Sequence, residues 1–164
     1  MGHPDPQAPT IEVFESRAGF LRVYEEIAAL EPGSMFRVLE GKRALTGELS
    51  LLTPQEWQRF FEKITERKIE TKGLFTETAW TIPQGTLSKA NHALLQKRVW
   101  HMRLIDESRL PFDELLLIYG HKMAFLFPED HLVITLEHAG VCRVLTTMFE
   151  ALFLMGTPAK DGWR

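Results

Sequence analysis

The sequence predicts an α/β domain in which helices cover both faces of a mixed β-sheet. Strand-like and helix-like segments alternate through the first two thirds of the chain, a meander of short strands follows, and a long apolar helix comes last. The chain has 164 residues, the usual size of one domain, and no linker or internal repeat divides it. We therefore expect one domain over residues 11–156, with a flexible leader at 1–10 and a flexible tail at 157–164.

The clearest local signal in the first half of the chain belongs to a helix. Thr53 is a good N-cap, Pro54 suits the first helical position, and Glu56 stands three residues after the cap. Apolar residues then recur at helical spacing, beginning with Trp57. The other elements expected here are strands at residues 11–15, 35–39 and 68–77, a helix at 17–30, and an extension of the second strand at 44–48.

The second half of the chain predicts a helix, a series of strands and a final helix. Residues 114–119 and 122–127 have strand patterns and are separated only by Gly120 and His121, which is the spacing of a β-hairpin. The stretch around residues 83–85 predicts a loop, because proline and glycine lie together there. The remaining expected elements are a helix at 87–97, strands at 100–105 and 132–136, and a helix at 138–155.

The charge of the chain argues against a nucleic-acid-binding surface. The formal net charge is −3, whereas proteins that bind nucleic acid usually carry a positive excess on one face. The densest basic group consists of Arg67, Lys68 and Lys72, and three glutamates are interleaved with it. We expect a mixed, solvated face at this position and no direct contact of this chain with nucleic acid.

The sequence also carries no signal for a membrane or for secretion. No apolar run approaches the roughly 20 residues that a membrane helix needs, and residues 1–10 are too polar and proline-rich for a signal peptide. Cys142 is the single cysteine, and its apolar helical surroundings predict a buried, inert thiol. We therefore expect a cytoplasmic protein without internal disulfides and without membrane contact.

Common catalytic and cofactor motifs do not occur. The chain has no phosphate-binding loop, dinucleotide fingerprint, nucleophile elbow or closely spaced pair of cysteines or histidines. We expect no metal and no cofactor. Trp80 and Trp100 are candidates to line a pocket, although burial in the core is the more frequent fate of tryptophan.

Three segments near the end of the chain resemble one known family. The order of these segments resembles that in the C-terminal effector domain of TrmB-like transcriptional regulators. The segments are Leu110-Pro111-Phe112, then Leu117-Ile118-Tyr119-Gly120-His121-Lys122-Met123-Ala124, then a strand and a helix ending Phe149-Glu150-Ala151-Leu152-Phe153. Arg103 matches a frequent arginine of that family. His121 stands where the family usually has aspartate, and Phe153 where it usually has tryptophan. The opening Phe14-Glu15-x-x-x-Gly19-Phe20, followed by a helix, resembles the start of the same family. The resemblance therefore extends over about residues 11–155 and implies a phospholipase-D-like fold.

The resemblance also implies that the chain is not an enzyme. Active members of the phospholipase D superfamily carry the motif H-x-K-x-x-x-x-D. When the lysine is aligned with Lys122, Gly120 takes the place of the histidine and Phe127 takes the place of the aspartate. His121 is one residue out of register, and adjacent strand residues point to opposite faces. Glycine offers no nucleophile, so we expect no catalytic residue in this motif.

Three functions remain open from the sequence. The first is a sensor that binds a small effector, a sugar or another metabolite, and controls transcription through a separate DNA-binding domain or partner; its candidate ligand residues are Arg103, Tyr119 and Lys122. The second is an interaction module that forms a homodimer through the last helix, with Phe149, Leu152 and Phe153 as candidate interface residues. The third is a cryptic phosphodiesterase.

Overall fold

The computed structural model describes residues 8–80 and 87–159. Within these residues the chain forms a mixed β-sheet with helices on both faces. The strands are β1 (Thr10–Phe14), β2 (Met35–Glu40), β3 (Glu70–Thr76), β4 (Trp100–Ile105), β5 (Leu115–Tyr119), β6 (Lys122–Phe127), β7 (Leu132–Glu137) and β8 (Thr157–Pro158). The helices are α1 (Arg17–Ala28), α2 (Ala44–Leu51), α3 (Pro54–Glu66), α4 (Lys89–Lys97) and α5 (Ala139–Met155), with a short 3₁₀ turn at Glu107–Arg109.

The order of the strands confirms the predicted fold class. The sheet runs β1-β7-β6-β5-β2-β3-β4-β8. Strands β2, β3 and β4 are parallel to one another, and the other neighbouring pairs are antiparallel. The meander of β5, β6 and β7 leads directly into the long final helix. Parallel neighbours need crossover connections, and the helices between β2, β3 and β4 supply them.

One face of the sheet is covered by the four earlier helices, α1 to α4. Helix α3 begins as predicted, because the Thr53 hydroxyl accepts from the Glu56 amide and the Glu56 carboxylate accepts from the Thr53 amide. Its apolar stripe packs against α1, where the Tyr24 ring lies 4.9 Å from Trp57 and 5.1 Å from Phe60 between centroids. Edge-to-face packing of this kind fixes how the two helices sit on the sheet.

Helix α5 covers part of the opposite face. Phe149 and Phe153 pack there against apolar side chains of β2, β3 and β5, including Leu39, Leu74 and Ile118. Glu150, on the flank of the helix, binds Arg37 of β2 at 2.8 Å and also Lys72 of β3. The described helices therefore lie on both sides of the sheet, as expected for this class of domain.

Two local predictions were wrong. Residues 44–48 do not extend the second strand but begin helix α2, because the buried residues Ala44, Glu48, Leu49 and Leu52 recur at helical spacing rather than in alternation. The predicted flexible tail at 157–164 begins with strand β8, which pairs with β4. The loop predicted around 83–85, most of the leader and the end of the tail lie outside the described residues.

Candidate functional site

A small cavity of about 50 Å³ lies between the sheet and the helices on the α1 side. Residues 36, 38 and 40 of β2 line it because alternate residues of a strand point to the same face. Residues of helices α1, α2 and α3 line the side opposite the sheet, and residues at the end of α4 line one edge. The polar and aromatic side chains of the lining include Tyr24, Glu40, Glu48, Trp57, Phe60, Phe61, Thr71, Arg98 and Trp100.

Arg98, at the C-terminal end of α4, is one of the polar residues of the lining and contacts two residues of the sheet. Its Nη2 atom donates to the Thr71 hydroxyl at 2.5 Å, and its guanidinium carbon lies 3.8 Å from the centroid of the Trp100 ring. The Tyr24 hydroxyl donates to the Glu48 carboxylate. Burial raises the pKa of Glu48 to about 8, and the positive charge of Arg98 offsets only part of that rise. Burial likewise lowers the pKa of Arg98 to about 9.

Glu40, the last residue of β2, is another polar residue of the lining. Its side chain is 1% exposed, and its Oε1 atom has no hydrogen-bond partner among the described residues. Burial raises the pKa of this carboxyl well above its ordinary value, so the neutral form is favoured. Leaving a buried polar group without a partner costs about 1–3 kcal/mol. An apolar side chain avoids that cost, so Glu40 is not accounted for by stability.

Two of the predicted ligand residues meet at a second polar cluster, beside the β5–β6 hairpin. The Tyr119 hydroxyl donates to Glu26 at 2.9 Å, and the Lys122 ammonium lies 3.1 Å from both carboxylate oxygens of Glu26. Glu137 approaches the same ammonium at 3.8 Å. Burial raises the pKa of Glu26, but the hydrogen bonds from Lys122 and Tyr119 outweigh it, and the pKa stays below its ordinary value.

Arg103, the third predicted ligand residue, lies on the opposite face of the sheet. Its Nη1 atom donates to the carbonyl oxygens of Phe153 and Leu154 at 3.2 Å and of Gly156 at 3.4 Å. The first two carbonyls belong to the last turn of α5 and the third to Gly156 just after it. The Phe153 oxygen also accepts from the Gly156 amide, and the arginine adds a donor to all three. The structure therefore does not bring Arg103 together with Tyr119 and Lys122.

The positions aligned with the phospholipase D motif also take definite places. Gly120 has a φ of +56° in the two-residue hairpin turn, a conformation that glycine adopts without strain. Phe127 ends β6 and is partly buried. Lys122 faces two carboxylates. In the part of the chain that the structure describes, no group of three histidine, cysteine, aspartate or glutamate side chains is placed to hold a metal ion.

The predicted interface residues lie mainly in the core. Phe149 is 2% and Phe153 8% exposed, and Leu152 is half-buried beside them. Four of the large apolar side chains that α5 exposes lie on a different flank of the helix: Val141, Val144, Met148 and Met155. Leu154, which is also exposed, lies apart from that flank. Cys142 is buried, as predicted.

Sequence reasoning missed the cavity and its three ionisable residues, two buried glutamates and a half-buried arginine. Trp100 had been named as a candidate pocket residue, and it does line the cavity. One signal was available, because Glu40 falls in the inward-facing alternation of a strand whose other inward residues are apolar. Glu48 gave no such signal, since its segment was assigned to a strand. Arg98 resembled an ordinary basic residue at the end of a helix.

Comparison with known proteins identifies the fold. Neither a protein-family model nor a curated protein matches the sequence. Among solved structures, TrmBL2, an archaeal chromatin protein with a novel mode of DNA binding, matches with a TM-score of 0.61 at 12% identity, over 91% of this chain and 53% of TrmBL2. The phospholipase D family member Nuc from Salmonella typhimurium matches with a TM-score of 0.59 at 12% identity, over 94% of this chain and 100% of Nuc.

NucT from Helicobacter pylori also matches, with a TM-score of 0.64 at 7% identity, over 93% of this chain and 100% of NucT. The chain therefore has the predicted phospholipase-D-like fold, which it shares with about half of TrmBL2 and with the full length of Nuc and NucT. Members of the phospholipase D family carry out catalysis on this fold, so its architecture alone does not decide between an enzyme and a regulator. None of the described helices is long and apolar enough to cross a membrane.

Proposed function

We propose that this chain is a non-catalytic sensor domain that binds a small molecule in the cavity on the α1 side. Binding would control transcription through a separate DNA-binding domain or partner. The observation that carries the proposal is Glu40, a buried carboxyl group without a described partner in a preformed, aromatic cavity. Convergent polar groups with shifted pKa values in an apolar pocket are typical of a binding site. The fold shared with the chromatin protein TrmBL2 supports a regulatory role.

The cavity is a better place for a ligand than the residues selected from the sequence. Tyr119 and Lys122 already bind Glu26, and Arg103 binds the end of α5. An anion near Lys122 would meet the carboxylates of Glu26 and Glu137. The same arrangement supports the absence of phosphodiester hydrolysis, because the aligned lysine is neutralised and Gly120 offers no nucleophile.

A thermal-shift screen of the purified chain against metabolites tests the proposal. A ligand that binds only the folded state raises the melting temperature, by the equivalent of about 2.7 kcal/mol at a hundred times its dissociation constant. We expect a hit whose shift is lost in Glu40→Gln and kept in Glu137→Gln, a carboxyl-to-amide change outside the cavity. A hit that both variants bind equally, or hydrolysis of a phosphodiester substrate by the wild-type chain, would contradict the proposal.

A second candidate function, homodimerisation, rests on an apolar surface beside α5. In the paired strands, Ile11 of β1 lies opposite Leu136 of β7, and Val13 lies opposite Ile134. The same rows continue across β6 to side chains of β5 that pack against α5, so Ile11 and Val13 lie on the α5 face of the sheet. Ile11 is 60% and Val13 57% exposed. Val144 and Met148, on the exposed flank of α5, add further exposed apolar side chains on this face. Monomeric proteins rarely expose more than a few hundred Å² of contiguous apolar surface.

We propose a second copy of this chain as the occupant of that surface. A stable dimer buries roughly 800 Å² on each partner, and the exposed side chains of β1 and of the α5 flank supply an apolar centre for it. Light scattering after size exclusion is expected to give twice the monomer mass for the wild type. Met148→Glu is expected to give a monomer, and Thr147→Glu, an adjacent exposed position, to keep the dimer. A monomeric wild type at high micromolar concentration would overturn this second function.

A further inference from the structure

We infer that the cavity on the α1 side binds a short monocarboxylate whose carboxylate group pairs with Arg98. The inference rests on the proposed sensor function and names the class of its ligand. Three features of the described lining support it: a buried hydrogen-bond donor without an acceptor, the balance of charges and the size of the space.

The donor without an acceptor belongs to Arg98. Its Nη2 atom donates to the Thr71 hydroxyl at 2.5 Å, but its Nε atom is buried and has no hydrogen-bond partner among the described residues. Buried donors are rarely left without an acceptor. A carboxylate matches a guanidinium well, because its two oxygens accept parallel N–H bonds from one edge of the group.

The rings around Arg98 leave an edge of the guanidinium as the place for a ligand. The guanidinium carbon lies 3.8 Å from the centroid of the Trp100 ring and 5.4 Å from that of Phe61. A ring as close as Trp100 covers one face of the guanidinium, so a polar ligand approaches along the edge to which the N–H groups point. The rings attract the cation but carry no negative charge to balance it. They also offer an apolar surface to the hydrocarbon part of the ligand.

The charges of the lining favour an anion. Burial favours the neutral form of Glu40, and it raises the pKa of Glu48 to about 8, so Glu48 is also mostly neutral at pH 7. Arg98, whose pKa is about 9, stays protonated at that pH. The lining therefore carries a positive charge that its own carboxyl groups do not balance. Water or a neutral ligand would accept from the Nε atom but leave that charge unbalanced, whereas a monocarboxylate does both.

The size of the space limits the length of the ligand. The cavity has a volume of about 50 Å³, which is room for only a few water-sized groups. A carboxylate group and one or two carbons fill such a space. We therefore expect acetate and propionate to bind more tightly than benzoate.

Three compounds of similar shape and different charge test the inference: propionate, propionamide and propionamidinium. Binding to the wild-type chain is followed at pH 7 by thermal shift and tryptophan fluorescence, with sodium chloride at equal concentration as the reference for ionic strength. We expect only propionate to bind, because it alone balances the charge of Arg98. Inorganic phosphate is expected not to bind, because it has no apolar part to contact the rings.

Variants of Arg98 test the pairing itself. Arg98→Gln is expected to weaken propionate binding by about tenfold or more, because a charge-assisted hydrogen bond is lost. Arg98→Lys is expected to recover part of the loss, since it keeps the charge without the planar fork. Arg59→Gln, the same change at an exposed arginine outside the cavity, is expected to leave binding unchanged. Should Arg98→Gln not fold, Leu117→Phe, which narrows the cavity from β5, takes its place and is expected to abolish binding.

The outcomes separate this inference from the sensor function itself. If propionamide or propionamidinium binds as tightly as propionate, the preference for an anion is wrong, and the sensor function stands as long as Glu40→Gln abolishes that binding. If propionate binds the wild type and Arg98→Gln equally, the pairing with Arg98 is wrong. If only another metabolite binds, with a shift that depends on Glu40, the carboxylate is wrong and the sensor function stands. If no metabolite binds at all, both fail.

Discussion

The ammonium group of Lys122 is bound by both carboxylate oxygens of Glu26, each at 3.1 Å. This contact joins the first helix to the β5–β6 hairpin, and the Tyr119 hydroxyl completes it at 2.9 Å. The lysine at the motif position is therefore a structural partner of a carboxylate.

Replacing Glu26 by Gln is expected to destabilise the chain by about 1–3 kcal/mol, because the largely buried Lys122 loses the nearer of its two carboxylate partners. Urea unfolding measures the change. Inorganic phosphate is expected to leave the melting temperature of the wild type unchanged. Glu12→Gln, at a partly buried partner of the exposed Arg22, is the control and should cost less than about 1 kcal/mol. An equal decrease in the free energy of unfolding in the two variants would show that the Glu26–Lys122 contact stabilises the fold no more than the Glu12–Arg22 contact does.

Replacing Glu40 by Leu is expected to stabilise the chain by about 1–3 kcal/mol. The substitution removes a buried carboxyl that lacks a described partner and replaces it with an apolar side chain of similar size. Chemical denaturation at pH 7 measures the gain. A stabilising change at a binding residue is the usual sign of a trade of stability for function. A loss of more than about 1 kcal/mol would show that Glu40 supports the fold.

The stability of the chain is expected to fall as the pH rises from about 5 to 8. The pKa of Glu48 is about 8 in the folded state and that of Glu40 is also raised, both through burial. The folded state therefore holds protons that the unfolded state has released above about pH 4.5, and unfolding becomes easier as these protons are lost. Denaturation midpoints across this range measure the slope. The double variant Glu40→Gln, Glu48→Gln is expected to flatten it, and an unchanged slope would count against burial as its cause.

Replacing Arg103 by Ala is expected to destabilise the chain by about 1–2 kcal/mol and to loosen the end of α5. The arginine binds the carbonyls of residues 153, 154 and 156, and its guanidinium lies 5.0 Å from the Phe153 ring. Hydrogen exchange is expected to rise in the last turn of the helix and stay unchanged in α3. Arg103→Lys should recover part of the loss. Ligand binding in the cavity should not change, since Arg103 lies on the other face of the sheet.

The sequence was sufficient where the signal was local. The start of α3 depends on Thr53, Pro54 and Glu56, which act on their own backbone, so the first residue of the helix was predicted correctly. Residues 44–48 were assigned wrongly, because five residues are too few to separate strand alternation from helical spacing. The phospholipase-D-like fold followed from the order of motifs along the whole chain.

The candidate site depended on contacts that the sequence does not display. Glu40, Glu48 and Arg98 come from β2, α2 and the end of α4, and only the packed fold brings them to one cavity. The role of Arg103 rests on the carbonyl groups of residues about fifty positions away. The three residues selected from the sequence as ligand candidates therefore bind other parts of the fold: Tyr119 and Lys122 bind Glu26 of α1, and Arg103 binds the end of α5.

The two outer strands of the sheet differ in what they allow. In the described part of the chain, one edge is β8, two residues long, and its Pro158 has no N–H group to donate. The other edge is β1, with five residues. Another strand can therefore be added with regular backbone pairing at β1, whereas proline and short length oppose addition at β8. Two chains joined edge to edge through β1 would leave only β8 outermost, so growth would stop at a pair and not proceed to a fibre.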